Sequence, residues 1–171
     1  MNQLSHKMRI WAYVFTPLFV LFVDLLSKHF AEVLLKEGES VQILGNFIKL
    51  TLIYNNGTTF GLFSASFPFL AVLLPKFIVI LAVFVCFLNI TKFITGSGHQ
   101  FFSRICFLVI IGGSCGNFVD RLLDRKVTDF IDVGIQSFRW YVFDFADAFQ
   151  FLGGLAVLFV LASQHMKRQN A

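Results

Sequence analysis

The chain has 171 residues, 57% of them hydrophobic and 14% charged, with 24 phenylalanines and a formal net charge of +4. Such a composition excludes an ordinary soluble domain, and no stretch between the apolar segments is long enough to bury a core of its own. A single integral membrane domain over 1–171 follows, and the positive charge reads as topology, so no nucleic-acid partner is expected.

The first apolar run is IWAYVFTPLFVLFVDLLS (10–27), with Lys7 and Arg9 ahead of it. It has no small-residue cleavage pattern, and Asp24 and Lys28 belong to the same helix, so it reads as a retained span. Four residues apart, those two share a helix face. An unpaired ionisable group in a span costs about 2.5–3.5 kcal/mol, so they are expected to pair. The pair either marks the end of the span or props up a site.

Next comes VQILGNFIKLTLIYNN (41–56), where Ile48, Leu50, Leu52 and Tyr54 alternate with Lys49, Thr51, Ile53 and Asn55. That is the period of a strand, and Gly45-Asn46 is suited to turn a hairpin into it. A small extracytoplasmic sheet over about 41–60 is expected. YNNGTTFG (54–61) follows, where Asn and Gly fit a turn as well as a site. SASFPFLAVLLP (64–75) is apolar but too short to span, and is expected to lie in the membrane interface.

The second span is KFIVILAVFVCFLNITKFI (76–94) and the third FFSRICFLVIIGGSCGNFV (101–119). Cys86, Cys106 and Cys115 sit in apolar runs without metal-ligand spacing and read as small buried hydrophobes. The glycines of GGSCGN (112–117) allow close helix packing. Ser114 would need a base to act as a nucleophile, and none of the four histidines lies inside a span. FRWYVF (138–143) suits a short strand with Trp140 and Tyr141 as interfacial anchors. The fourth span is FDFADAFQFLGGLAVLFVLASQ (143–164).

Sidedness follows from the density of basic residues. Residues 1–9, 92–104 and 165–171 hold six Lys/Arg in 29 positions, whereas 28–76 and 120–142 hold eight in 72. Both termini are therefore expected in the cytoplasm. This parity brings Asp24, Asp120 and Asp147 to the outer face of the membrane, together with Asp124, Asp129, Asp132 and Asp144.

Such a gathering of acids supports three readings. Asp129 and Asp147, on separate elements with apolar neighbours, suit a pair that shares a proton, one carboxylate activating water while the other polarises a carbonyl. Clustered acids could instead hold Mg²⁺ against a phosphate-bearing lipid, making a magnesium-dependent enzyme of lipid headgroups. Or they are solvated and ion-paired with Arg121, Arg125, Lys126 and Arg139. A transporter relaying protons through Asp24 would place acids at mid-membrane instead of at one face.

Read together, the motifs resemble lipoprotein signal peptidase, the signal peptidase II family, over nearly the whole chain. The family's Asp-x-x-x-Lys is met by Asp24 and Lys28, and its Asn-x-Gly-x-x-Phe by Asn55, Gly57 and Phe60. Gly-Asn-x-x-Asp-Arg is met by Gly116, Asn117, Asp120 and Arg121, Val-x-Asp-Phe by Val127, Asp129 and Phe130, and the last motif by Phe143, Ala146 and Asp147. The resemblance implies an α-helical protein of four transmembrane helices with a small extracytoplasmic β-sheet, in the bacterial inner membrane among its lipids. It implies an aspartic endopeptidase that cuts the signal peptide of diacylglyceryl-modified prolipoproteins before the lipidated cysteine, with no metal and no cofactor. It also implies that Asp129 and Asp147 are catalytic, and that Asp24, Lys28, Asn55, Gly57, Asn117, Asp120 and Arg121 shape or support the site.

The sequence departs from the family pattern in three places. Asp144 stands where the family typically has Asn, Leu25 replaces a common polar residue, and Thr58-Thr59 replace a small pair. Asp144 lies three residues before Asp147 and is expected to support the site, either protonated or paired with Arg121 or Arg139. Asp124 and Asp132 are expected to be solvated loop charges.

Overall fold

A computed structural model describes residues 3–56, 69–92 and 94–169. Its order is α1 (Gln3–Leu34), β1 (Ser40–Leu44), β2 (Ile48–Asn55), α2 (Phe69–Asn89), α3 (Ser97–Asp124), β3 (Val127–Ile135), β4 (Phe138–Arg139) and α4 (Phe145–Gln169). A 3₁₀ turn at Ile90–Lys92 closes α2. Three stretches are long and apolar enough to cross a membrane, His6–Leu34, Gly98–Asp124 and Phe145–Met166, and Phe77–Asn89 is a shorter apolar helix.

The helices exceed the expected spans. α1 and α3 continue past the apolar runs where Lys28 and Asp120 pair inside the bundle, and α4 runs on to Gln169. The segment 64–75 is not simply interfacial: from Phe69 onward it forms the first turns of α2. Pro75 lies within this helix, and membrane helices tolerate proline where neighbouring groups satisfy the backbone.

α3 packs against each of the other three helices. Small residues let it do so. A Cβ on Gly112 would lie 2.8 Å from the Pro17 carbonyl oxygen on α1, and one on Gly113 would lie 2.6 Å from the Ala146 carbonyl oxygen on α4. On α4, Gly153 approaches Ile110 and the Cys106 carbonyl in the same way. Pro17 and Val20 meet Gly112 while Asp24 meets Gly116, so α1 and α3 run parallel and Asp24 lies at the same end as Asp120. Ser114 serves this packing, donating to Gln150 Oε1 on α4 at 2.9 Å.

Two apolar clusters close the ends of the bundle. Ile90, Ile94, Cys106, Phe107, Val157 and Val160 pack at one end. At the other, Ala31 of α1 and Leu35 just after it pack against Leu52 of β2 and Phe130 of β3. That cluster seats a four-stranded antiparallel sheet, ordered β1-β2-β3-β4, on the end of α1. The expected hairpin is present, with Gly45 at φ 51° in its turn. β4 is shorter than the expected 138–143 strand, which continues only as an isolated bridge between Ile131 and Phe143.

β3 corrects the expectation that Asp132 is a loop charge. It is the best buried strand of the sheet, paired with β2 and β4. Asp132 is accordingly not a solvated charge. It is buried, its Oδ1 accepts from Arg139 Nε at 2.9 Å, and its Oδ2 accepts from Thr51 Oγ1 at 3.2 Å. Asp124, the last residue of α3, is exposed as expected.

Candidate active site

Lys28 is the hub of the site. Its ammonium, 4% exposed, lies 2.7 Å from Asp24 Oδ2, 2.8 Å from Asp120 Oδ2, 2.8 Å from Asp144 Oδ2 and 3.1 Å from Asn117 Oδ1. These partners come from α1, α3 and the entry to α4. A buried cation is tolerable only when so surrounded, and the same contacts neutralise carboxylates that would otherwise be stranded away from water. The Asp24–Lys28 pair therefore props up a site and does more than end a span.

The first turn of α4 is held from both sides. Asp24 Oδ1 accepts from the Ala146 N–H at 2.8 Å, and Asp144 Oδ1 accepts from the Asp147 N–H at 2.7 Å. Asp144 is thus the N-cap of α4, bonding the third helical residue as an aspartate cap should. Its other oxygen takes Lys28, so the expectation of an arginine partner is corrected: Arg139 pairs with Asp132. Gly116 is the spacer that permits the arrangement, since a Cβ there would fall 2.2 Å from Asp24 Oδ2.

From this hub the contacts lead to Asp147 and Asp129. With its oxygen committed to Lys28, Asn117 points Nδ2 at Asp147 Oδ1, 2.9 Å away. Arg121 Nη1 donates to the Asn117 carbonyl at 3.1 Å. On β3, Asp129 Oδ2 accepts from Asn55 Nδ2 at 3.2 Å, while Oδ1 is buried without a hydrogen-bond partner among the described residues. The strand is pinned beside it: Thr128 Oγ1 donates to Glu32 Oε1 at 2.7 Å, and the Thr128 N–H reaches Asp120 Oδ2 at 3.5 Å.

Asp129, Asp144 and Asp147 bring carboxylate oxygens within 4.8 Å of one another. Burial, reinforced by the Asp144 and Asp147 charges, pushes the Asp129 carboxyl up to about 8, against the smaller opposing pull of Asn55 and Lys28. Asp129 therefore holds a proton at neutral pH, as expected when carboxylates share a dry site. The three acids are close enough to chelate a hard cation. Asp144 already gives one oxygen to Lys28 and the other to an N–H, so a cation there would sit against the ammonium.

A cavity of about 720 Å³ opens onto these groups. Asp129, Asp147, Asn55, Asn117 and Arg121 line it, with apolar walls that include Phe47, Val133, Phe138, Trp140, Phe143 and Phe151. Val127, Asp129 and Val133 alternate along β3 to face it, the period of two expected of a strand.

Of the residues expected to form the site, the fold gathers Asp24, Lys28, Asn55, Asn117, Asp120, Arg121, Asp129, Asp144 and Asp147. Gly57, Phe60 and Thr58-Thr59 lie outside the described residues. Gln150 was not foreseen. It lines the cavity one turn beyond Asp147, donates to the Ala146 carbonyl at 3.1 Å and accepts from Ser114. The only signal for it was a polar residue at 150 in an apolar helix, next to the small residues of α3.

Comparison with known proteins agrees with this architecture. The chain is 28% identical over 157 residues to a lipoprotein signal peptidase of Staphylococcus aureus, covering 92% of this chain and 91% of that one. Against the lipoprotein signal peptidase of S. aureus strain JH9 it is 28% identical over 148 residues, 86% of each. A solved bacterial membrane enzyme superposes with a TM-score of 0.73 at 25% identity, covering 89% of this chain and 93% of that one. A second gives a TM-score of 0.72 at 24% identity, over 91% and 90%. The family model for signal peptidase II matches residues 16–163, and the chain belongs to that family.

Proposed function

We propose that this chain hydrolyses diacylglyceryl-modified prolipoproteins just before the lipidated cysteine, with Asp129 and Asp147 as its catalytic pair. The observation that carries this reading is the contrast between the two carboxylates at the cavity. Asp129 is buried, its carboxyl pushed up to about 8 by that burial, and one of its oxygens has no hydrogen-bond partner among the described residues. Asp147 accepts a hydrogen bond from an amide that Lys28 has oriented.

Their roles follow. Asp147 takes a proton from water as the water oxygen attacks the scissile carbonyl carbon, and Asp129 hydrogen-bonds the carbonyl oxygen as negative charge develops there. Collapse of the tetrahedral intermediate breaks the C–N bond, and the proton held by Asp147 goes to the leaving amine. Asn117 and Asn55 orient the two carboxylates, and Lys28 keeps Asp24, Asp120 and Asp144 neutralised behind them. The apolar walls suit a signal-peptide segment with a lipid anchor. The density of basic residues supports cytoplasmic termini and a site at the outer face, where that scissile bond would lie.

A magnesium-dependent reading draws on the closeness of Asp129, Asp144 and Asp147. One experiment separates the two: a gel-shift assay of the purified protein on a diacylglyceryl-modified prolipoprotein, with and without EDTA. The dyad predicts cleavage unchanged by EDTA and lost in Asp147→Asn. Inhibition by EDTA would move the magnesium reading ahead, and cleavage by Asp147→Asn would remove that residue from the chemistry.

A further inference from the structure

All ten carboxylate side chains of the protein fall between residues 24 and 39 or between 120 and 147. Because α1 and α3 run parallel, these stretches gather at the Asp129 end of the bundle. Arg9 on α1 and Arg104 on α3 lie at the opposite end. The nearest acids along their own helices are Asp24 and Asp120, about 22 and 24 Å away at 1.5 Å per residue. Neither arginine can find a side-chain carboxylate within its reach.

Both are nevertheless held in place. The Arg9 guanidinium carbon lies 5.2 Å from the centre of the Phe101 ring, and that of Arg104 lies 5.8 Å from the centre of Phe87. Tyr13 joins the two, its ring centroid 6.0 Å from Phe87 and 5.6 Å from Phe101. α1, α2 and α3 thus meet around an aromatic cluster with a half-buried guanidinium on each side. Contact with an aromatic ring uses the flat face of a guanidinium and leaves its in-plane N–H groups available. Arg104 Nε is buried and has no hydrogen-bond partner among the described residues, which is unfavourable unless an acceptor is supplied to it.

We propose that Arg9 and Arg104 bind the headgroup phosphate of an anionic phospholipid, in the leaflet at the α1 N-terminal end of the bundle. The guanidinium fork suits two phosphate oxygens, and basic pockets between helices on the cytoplasmic side are suited to anionic headgroups. Apolar surface for the acyl chains is adjacent: Phe84, 45% exposed, stacks on Phe87 with ring centroids 6.1 Å apart. This site is independent of the peptidase chemistry at the other end.

The test is thermal unfolding of the protein purified in an uncharged detergent, with dioleoylphosphatidylglycerol, dioleoylphosphatidylcholine or inorganic phosphate added. The expected result is a rise in Tm with the anionic lipid alone, abolished in Arg9→Gln/Arg104→Gln. The Arg9→Lys/Arg104→Lys variant, which keeps the charges and loses the forks, should retain part of the rise. Prolipoprotein cleavage by the Gln variant in uncharged detergent should stay within about twofold of wild type, because sites so far apart act independently. An equal rise with the zwitterionic lipid, or an undiminished rise in the Gln variant, would overturn the proposal. A full rise with inorganic phosphate would reduce the site to a general anion site and overturn the lipid assignment. Should the Gln variant not fold, native mass spectrometry of the wild type decides: preferential retention of phosphatidylglycerol supports the site, and equal retention of both lipids refutes it.

Discussion

Asp129 and Asp132 lie three residues apart on one strand, and the regions they face are chemically opposite. Asp132 points to the side of the sheet where Arg139 and Thr51 satisfy both of its oxygens, and Arg139 also donates to the Asn46 carbonyl at the hairpin tip. This pair is a clasp between β3 and the turn. Asp129 points to the cavity, where one oxygen accepts from Asn55 and the other has no hydrogen-bond partner among the described residues. Lys28 is spent on its neighbours, holding Asp24, Asp120 and Asp144. Neutralisation makes a buried acid structural, whereas leaving one oxygen unengaged in a dry cleft makes it reactive. The difference lies in the partners, because residue type and strand are the same.

The largest effect is expected from undoing that neutralisation at its centre. Lys28→Met leaves three carboxylates in a buried cluster without their cation, and breaking such an assembly costs about 3–5 kcal/mol. A large fall in Tm with loss of cleavage is expected, and a stable, active variant would show that the hub is dispensable. Gly116→Ala tests the same hub by steric means. The added methyl meets Asp24 Oδ2, whose partners leave it little room to move, so about 1–3 kcal/mol of destabilisation is expected together with reduced cleavage. Thermal unfolding beside a cleavage assay measures both.

A subtler test changes charge and keeps shape. Asp144→Asn retains an N-cap acceptor for the Asp147 N–H while removing a negative charge beside Asp129. With Asp129 raised to about 8, cleavage should fall as pH rises through that value, because the shared proton is lost. Stability carries the same sign. The folded protein keeps a proton that the unfolded chain releases near pH ~4, so this contribution is complete below that and is lost as pH rises toward 8. Asp144 is one cause of the raised value, so in Asp144→Asn the alkaline limb of the cleavage profile should move to lower pH. An unmoved limb would mean that Asp144 acts only as a cap.

The helices were legible because lipid demands long apolar runs, and the parity of four such runs placed the acids at one end before any contact was known. Their ends were not legible. The third apolar run stops at Val119, yet Asp120 and Arg121 lie inside α3, where Asp120 pairs with Lys28 across the bundle. β3 was missed because Asp129 and Asp132 interrupt its alternation on opposite faces, giving a buried strand the look of a charged loop. The motif residues around the dyad could be read from their resemblance to a family. That Asp144 would choose Lys28 over a nearby arginine could not, because the choice depends on how α1 packs beside α4.

The most direct measurement compares Asp129→Asn with Asp132→Asn for both cleavage of a diacylglyceryl-modified prolipoprotein and thermal unfolding in the same detergent. The account predicts a dissociation. Asp129→Asn should lose about 10²–10⁴-fold in cleavage with its Tm maintained, since it removes an acid that burial disfavours. Asp132→Asn should keep cleaving while losing about 1–3 kcal/mol of stability from its weakened bond to Arg139. If Asp129→Asn still cleaved at the wild-type rate, or if Asp132→Asn were fully stable yet inert, the assignment of chemistry to one face of β3 and structure to the other would be wrong.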